Sequence, residues 1–162
     1  MSKTFTSYFE SPIGSIELKT SEDAVLSVEF KEFSGKPDSE LPEITKKLNE
    51  QLKAYFEGTL LAFDLKINPQ GTDFQKRVWQ ELTNISFGQN ASYQDMANKL
   101  GDPKVIRAAA SANGKNPISI IIPCHRVIGK NGSLTGYAGG LNRKRWLLDH
   151  ENRIANGVLE LF

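Results

Sequence analysis

The alternation of apolar and polar residues changes along the chain, from a period of two in the first third to helical spacing later. In the first part this pattern predicts three strands, one helix and a further strand, over residues 4–10, 15–20, 24–30, 43–56 and 60–67. Pro12 and Gly14 mark a turn between the first two strands. A small α/β domain is therefore predicted at the start of the chain.

The second part of the chain has mainly helical periodicity. Its apolar spacing and turn residues predict helices over 73–85, 93–100 and 103–113, a buried strand over 118–122, and a last helix that contains 143–148. Polar residues stand where helix caps are expected, at Thr72, Ser92 and Asp102. Thr72 and Gln75 match a capping box, and Pro103 takes the favoured first helical position.

Two of these helices lie close together and are joined by a tight Gly-Asp-Pro turn, the arrangement of a helix-turn-helix. The second helix carries a run of small residues over 108–112, beside which Arg107 is the single long cation. A partner can approach such a surface closely, and an isolated arginine on it is a candidate for insertion into a DNA groove. An ordinary helical hairpin in the core is the alternative.

The balance of charged residues changes at the same point of the chain as the hydrophobic periodicity. Residues 1–72 carry 8 Lys and Arg against 12 Asp and Glu, whereas residues 73–162 carry 12 against 7. The basic half favours a polyanionic partner, since Lys and Arg that meet phosphates release counterions, although a solvated basic face has the same composition. The predicted organisation is an N-terminal domain over 1–67, a linker over 68–72 and a C-terminal domain over 73–162.

Cysteine and histidine are scarce in this sequence. Cys124 is the only cysteine, and His125 and His150 are the only histidines. One cysteine cannot form an internal disulfide, which fits a reducing compartment, and these three residues cannot assemble a structural zinc site. The sequence has neither an apolar run long enough to span a membrane nor an N-terminus typical of a secretory signal. We therefore expect a cytoplasmic protein (nuclear in a eukaryote) that uses no metal or other cofactor.

Cys124 lies at the end of the predicted strand 118–122, directly after Pro123. A lone cysteine is usually an inert part of the core. Here His125 and Arg126 are predicted to supply positive potential that favours the thiolate, and glycine-rich turns downstream can enclose a pocket. These neighbours make Cys124 a candidate nucleophile.

The geometry of a strand argues against a simple cysteine–histidine pair. Neighbouring side chains on a strand point to opposite faces, so His125 can act on Cys124 only if the chain turns sharply there or a water bridges the two. A histidine base also needs an orienting carboxylate. Asp149 and Glu151, near the end of the last predicted helix, are both candidates.

The segment Ile-Pro-Cys-His-Arg-Val at 122–127 resembles the O6-alkylguanine-DNA alkyltransferases, also called methylated-DNA–protein-cysteine methyltransferases. The resemblance covers nearly all of residues 72–151, with matching positions at 72–75, 93–94, 107, 116–117, 136–140 and 147–151. The N-terminal part is similar only in pattern, through its Ser-Pro-Ile-Gly turn. The resemblance is specific because the cysteine motif and the distant matching positions all occur at the expected spacing.

The resemblance implies a role for each matching residue. Its catalytic group comprises the alkyl acceptor Cys124, the water-mediated base His125, its orienting partner Glu151, the hinge residue Asn116 and the proton donor Tyr93. The implied substrate-binding residues are Tyr137, Ala138, Val127, Gly139 and Ser119. The implied DNA-binding residues are Arg107, Tyr93, Gln94, Lys104, Ala108, Ala109 and Lys130. Arg107 is expected to fill, from the minor groove, the gap that a flipped base leaves.

The same resemblance implies an α+β fold: an RNase H-like N-terminal α/β domain with a small, mostly antiparallel sheet, and a mostly helical, winged helix-turn-helix C-terminal domain. It implies repair of double-stranded DNA by direct reversal. The O6-alkyl group of guanine, and the O4-alkyl group of thymine, would move irreversibly to Cys124 after the base leaves the helix. The protein would act once, without cofactor, as a monomer that can cluster along DNA.

Some features lie outside this scheme. Ser119 and Ala138 stand where some relatives have Pro and Ser, which bears on the size of the alkyl group, and His150 is expected on the solvent side of its helix. Other functions share parts of the pattern: a non-enzymatic binder of alkylated DNA, a helix-turn-helix regulator, and a cysteine hydrolase or redox enzyme. The binder has tryptophan in place of the cysteine, the regulator leaves the Cys-His motif unexplained, and the hydrolase lacks an oxyanion-hole motif.

Overall fold

The computed structural model describes residues 3–157 of the chain. The chain divides into two compact units, and the division falls between Gln70 and Gly71. Within the described range, no helix is long and apolar enough to cross a bilayer. Each unit has its own core, and the candidate chemistry lies in the second.

A three-stranded antiparallel sheet and one helix form the first unit. The strands β1 (Phe5–Ser11), β2 (Gly14–Thr20) and β3 (Val25–Lys31) lie in that order across the sheet. Helix α1 (Glu43–Glu57) packs against the sheet. Side chains from both layers are fully buried and make the core: Ile16, Leu18, Val28, Leu48, Leu52 and Tyr55.

The predicted strand over 60–67 is wrong. The segment is irregular up to its last residue, Ile67, which makes an isolated parallel bridge with Val25. One of its apolar residues, Phe63, instead lies against helix α1, with its ring centroid 5.5 Å from that of Tyr55. Contact with a helix therefore accounts for part of the apolar pattern that suggested a strand.

The second unit is mainly helical. Its helices are α2 (Asp73–Leu82), α3 (Tyr93–Lys99), α4 (Ile106–Gly114) and α5 (Leu141–Asn156). Two short strands, β4 (Ala91–Ser92) and β5 (Val127–Ile128), pair in parallel, and 3-10 turns cover 103–105, 124–126 and 130–132. A small antiparallel sheet in one unit and a helical second unit confirm the predicted α+β class.

All three predicted caps are present. Thr72 and Gln75 exchange two hydrogen bonds, at 3.1 and 2.9 Å, and Ser92 forms the same reciprocal pair with Asp95. Asp102 also accepts a backbone hydrogen bond at 2.9 Å, but it caps a 3-10 turn that precedes α4. These caps satisfy N–H groups that the first turn of a helix leaves without partners.

Helices α3 and α4 pack against each other and against α2. The indole N–H of Trp79 donates to the carbonyl of Ala112 at 2.8 Å, which anchors the end of α4 to α2. Arg77 donates to the carbonyl of Leu100 at 3.0 Å and so caps the end of α3. The two helices and their turn are therefore held on a third helix, the framework expected of a helix-turn-helix.

Candidate active site

The segment before the cysteine is a tight turn, so the predicted strand over 118–122 is wrong. The N–H of Ile122 donates to the carbonyl of Ile118 at 3.0 Å, and Ile120 has a φ of 73°. A β-branched residue with positive φ is strained and persists only where its surroundings hold it. The isoleucines are nearly fully buried at these three positions, so the apolar run records burial and not an extended backbone.

Asn116 holds this turn in place. Its Nδ2 donates to the carbonyls of Ile118 at 3.3 Å and Ile122 at 2.8 Å, and its Oδ1 accepts from the Ile118 N–H at 2.9 Å. Asn113, at the end of α4, donates to the carbonyl of Cys124 at 3.4 Å. The end of α4 is thus tied to both sides of the turn that presents the cysteine.

Replacing Asn116 with alanine should destabilise the protein by about 2–4 kcal/mol, because three buried hydrogen bonds are lost and their backbone partners stay buried. Alkyl transfer, measured at a temperature where the variant is folded, should also slow, since the strained turn is released. Urea unfolding and single-turnover transfer test both effects. Asn142→Ala, at an exposed asparagine of α5, is the matched control. A variant Asn116→Ala with the stability and rate of that control would contradict this role.

The chain turns sharply at the cysteine, so the extended strand geometry that argued against a cysteine–histidine pair is absent here. Cys124 opens a 3-10 turn that also contains His125, and the imidazole is fully buried. The Nε2–H of His125 donates to Oε2 of Glu151 at 2.7 Å. Its Nδ1 is buried and has no hydrogen-bond partner in the described part of the chain. Of the two candidate carboxylates, Glu151 is the one hydrogen-bonded to the histidine.

The ion-pair network around Glu151 controls its charge. Burial alone would raise the pKa of this carboxyl, but His125 and Arg126 outweigh burial and hold the pKa well below its usual value. The pKa of His125 is lowered, because burial disfavours the imidazolium more strongly than Glu151 favours it. A neutral imidazole bound through Nε2–H leaves Nδ1 as a proton acceptor.

Burial raises the pKa of the Cys124 thiol, and a hydrogen bond from Asn116 and the positive charge of Lys144 only partly offset this. The prediction that Arg126 favours the thiolate is wrong, because its guanidinium bonds Glu151 instead, with Nε 2.7 Å from Oε1. A buried thiol of this kind needs a base to become a nucleophile.

Lys144 is a site residue that the sequence interpretation missed. Its side chain is buried, its Nζ donates to the carbonyl of Thr135 at 2.7 Å, and burial lowers its pKa to about 8. A signal for it exists in the sequence: Lys144 shares the helical face of Leu147, Leu148 and Glu151, at the spacing of a buried stripe.

Comparisons with known proteins find one family for this chain. The family described as 6-O-methylguanine DNA methyltransferase, DNA binding domain, matches residues 73–153. The methylated-DNA–protein-cysteine methyltransferase of Methanosarcina acetivorans is 47% identical over 150 residues, which cover 88% of this chain and 95% of the relative. This chain belongs to the methylated-DNA–protein-cysteine methyltransferase family.

Solved structures of the family have the same fold. The Mycobacterium tuberculosis O6-methylguanine methyltransferase is 41% identical, has a TM-score of 0.85, and is matched over 97% of this chain and 98% of its own. The M. tuberculosis OGT in complex with DNA is 43% identical with a TM-score of 0.83, over 91% and 92% of the two chains. The likeness to this methyltransferase therefore extends over both units.

The predicted substrate-binding residues of the methyltransferase lie on the segments around the cysteine. Tyr137 and Ser119 are both buried, and burial raises the pKa of the Tyr137 hydroxyl well above its usual value. Val127 is buried in β5, whereas Ala138 is exposed. The carbonyl of Gly139 accepts a hydrogen bond from an arginine of α5 at 3.1 Å.

Tyr93 is the first residue of helix α3 and directly follows β4. Strand β4 pairs with β5, the strand that follows the cysteine turn in the chain. Its hydroxyl donates to the carbonyl of Thr135 at 3.2 Å, the same carbonyl that accepts from Lys144. The Lys144 ammonium lies 6.0 Å from the centroid of the Tyr93 ring. Helix α3, the 133–137 loop and helix α5 thus meet at one carbonyl group.

The face of the methyltransferase predicted to meet DNA is exposed only in part. Lys104, Arg107 and Ala108 are exposed along one side of the 3-10 turn and α4, whereas Ala109 is buried in the core. The side chain of Gln94 donates to the Pro103 carbonyl at 3.3 Å and so braces the helix-turn-helix turn. Lys130 is exposed on its own 3-10 turn.

His150 is placed differently from its prediction. It is buried, not on the solvent side of α5, and its ring stacks on Trp146 at 4.8 Å with an interplanar angle of 17°. Position 150 lies three residues after Leu147, on the buried side of α5, which its polarity concealed in the sequence. His150 is therefore a core residue of α5, and of the two histidines only His125 lies in the cysteine turn.

Proposed function

We propose that this methyltransferase repairs alkylated DNA by moving the O6-alkyl group of guanine to Sγ of Cys124 in a single irreversible step. The observation that carries the proposal is the buried chain of contacts from the cysteine turn through His125 to Glu151, with Nε2 and Oε2 2.7 Å apart. This arrangement supplies a nucleophile, a base and an orienting carboxylate. Membership of the family supports the same reaction.

The residues of this site suffice for the bond changes. His125 accepts the thiol proton at Nδ1 through a water, and the thiolate attacks the alkyl carbon in line with the C–O6 bond. The S–C bond forms as the C–O6 bond breaks, and the electron pair goes to guanine. Tyr93 is the proposed donor of a proton to the guanine ring, which makes it a better leaving group. The product is a thioether, which water does not readily cleave, so each molecule acts once.

The flipped base is proposed to lie between the cysteine turn and the 136–140 loop. Tyr137 packs on the guanine ring, and the Ala138 N–H faces O6. The carbonyls of Cys124 and Val127 accept from the exocyclic amine, with Gly139 and Ser119 completing the pocket. O4-alkylthymine would use the same attack.

DNA is proposed to bind the exposed side of α4. Lys104 and Lys130 would meet phosphates, and Tyr93 the phosphate and minor-groove edge of the flipped base. The small exposed residue Ala108 lets the minor groove approach, and Arg107 enters the space that the base leaves. Ala109 and Gln94 are left out of the direct contacts, since one is buried and the other braces the turn.

All of the proposed site residues come from the second unit of one chain, which supports a monomer as the active species. Clustering of several copies along DNA is compatible with this arrangement, because the proposed DNA-binding side of α4 occupies one face of the unit. A DNA substrate also implies that the protein works in the compartment that holds the genome.

The proposal is tested by counting transfers. A duplex with one labelled O6-methylguanine, in tenfold excess over protein, should give a burst that stops at one label per protein molecule. The matched duplex with label in an adjacent ordinary guanine should give none. Continued release of label into solution, or a plateau well below one with fully folded protein, would contradict single-use transfer.

Replacing Arg107 with alanine should slow repair in a duplex by roughly thirtyfold, since a side chain that offsets about 2 kcal/mol of base unstacking is lost. Reaction with the free base O6-benzylguanine should change less than about twofold, because no stacking is broken there. Single-turnover rates with both substrates provide the comparison. Arg153→Ala, at an exposed arginine of α5, is the matched control. Equal losses on the two substrates would reject this role.

A further inference from the structure

All three guanidinium nitrogens of Arg126 are hydrogen-bonded, two of them to the carboxylate of Glu151. Its Nε donates to Oε1 of Glu151 at 2.7 Å and its Nη2 donates to Oε2 at 3.0 Å. The third nitrogen, Nη1, donates to the carbonyl of Ile85 at 2.6 Å, and Cζ lies 5.7 Å from the Phe87 ring centroid. The arginine is only 7% exposed. A buried cation with every nitrogen bonded is held in one orientation.

The two hydrogen bonds from Arg126 to Glu151 determine how the carboxylate is oriented. A bidentate contact fixes the plane of a carboxylate as well as its position. Oε2 of Glu151 accepts from both Arg126 and His125, at 3.0 and 2.7 Å. The direction in which Glu151 holds the imidazole is therefore set by the arginine, which is itself anchored to the segment after α2 through Ile85.

We propose that Arg126 is a positioning residue for alkyl transfer, which sets the plane of Glu151 against His125 and offsets its negative charge, so that His125 remains a neutral base at physiological pH. The expected effect of Arg126 on the transfer rate rests on the proposed function. Its effect on the pKa of His125 is a property of the folded protein and does not depend on that function.

The charged groups around His125 define the expected direction of the effect. Helix α5 contributes Glu151, which raises the pKa of His125, and Lys144, which lowers it; Arg126 in the same turn also lowers it. The segment after α2 contributes the Ile85 carbonyl and the Phe87 ring near Arg126. Removal of the arginine charge leaves Glu151 uncompensated, so the pKa of His125 should rise and the base should be protonated at a higher pH.

Two substitutions separate charge from geometry. Arg126→Lys keeps the positive charge and loses the bidentate contact with Glu151, whereas Arg126→Met loses both. In the methionine variant the acid limb of the single-turnover rate, and the NMR titration of His125, should move up by about one pH unit. In the lysine variant both should stay within about 0.3 unit, while the rate on the plateau falls at least about tenfold.

The background Glu151→Gln supplies the control, because it removes the charge that Arg126 is proposed to offset. In that background Arg126→Met should still raise the pKa of His125, because the cation acts on the imidazole directly, whereas Arg126→Lys should change the plateau rate less than about twofold, because the carboxylate that the arginine orients is gone. A lysine variant with the wild-type plateau rate, or a loss of plateau rate on Arg126→Lys that is as large in the Glu151→Gln background, would overturn the inference. Absence of transfer in the wild type would instead overturn the proposed function, while the NMR titration still tests Arg126.

Discussion

Replacing Cys124 with serine is expected to lower alkyl transfer by more than about a thousandfold. A serine hydroxyl stays protonated where a thiol ionises, and the site is already unfavourable to negative charge, since burial raises the pKa of the native thiol. The substitution changes one atom in a buried turn that Asn113 and Asn116 hold through the backbone. The fold and the affinity for duplex DNA should therefore persist, and labelled O6-methylguanine duplex measures the loss.

The control for this variant is the substitution Ser39→Ala, at an exposed serine of the segment before α1 in the first unit. It changes one atom of a small polar side chain without touching the proposed nucleophile, and transfer should stay within about twofold of wild type. Since Cys124 is the only cysteine in the chain, any transfer by the serine variant has to use another kind of nucleophile. Label on the serine variant at more than a few per cent of the wild-type rate would sink the assignment of Cys124.

Replacing Glu151 with glutamine is expected to slow transfer by about 10²–10⁴-fold, the usual value of a positioned acid–base group. The amide removes the charge that bonds His125 at 2.7 Å and leaves Arg126 facing a neutral partner. Because Glu151 raises the pKa of His125, the acid limb of the rate should move to lower pH as the plateau falls. Single-turnover rates between pH 5 and 8, the range in which histidines titrate, measure both effects.

Asp149→Asn is the matched control, since it neutralises the other candidate carboxylate two residues away. Its transfer rate should remain within about twofold of wild type. Stability gives a second comparison: the pKa of Glu151 is held below its ordinary value of 4.5, so wild type should lose stability as the pH falls below about 4.5, and Glu151→Gln should lose less. If the aspartate variant were the slow one, the orienting role would pass to Asp149.

Much of the fold follows from local signals in the sequence. The three strands and α1 appear in the alternation and helical spacing, and the caps at Thr72, Ser92 and Asp102 mark helix starts because their side chains bond nearby backbone groups. The segment 118–122 could not be predicted in this way. Its isoleucines are apolar because they are buried, whereas its turn is held by side-chain hydrogen bonds from Asn116, which lies before the segment.

The site shows the same division between local and distant determinants. The sequence limited the orienting residue to two carboxylates on α5, but only the packing of that helix against the cysteine turn selects Glu151. Arg126 was assigned to the wrong partner because sequence adjacency to Cys124 does not determine where a long side chain points. Lys144 and His150 were missed because both are polar, although each lies three residues from Leu147 on the buried face of α5.

The central claim is that Cys124 is a reagent consumed in one transfer, and mapping the alkyl group on the protein tests it most directly. After incubation with excess O6-methylguanine duplex, the protein should gain the mass of one methyl group, and peptide fragmentation should place that group on Cys124. The repaired strand should then contain ordinary guanine in equal amount. A methyl group on any other residue, more than one per molecule, or repaired guanine formed by unmodified protein would contradict the account.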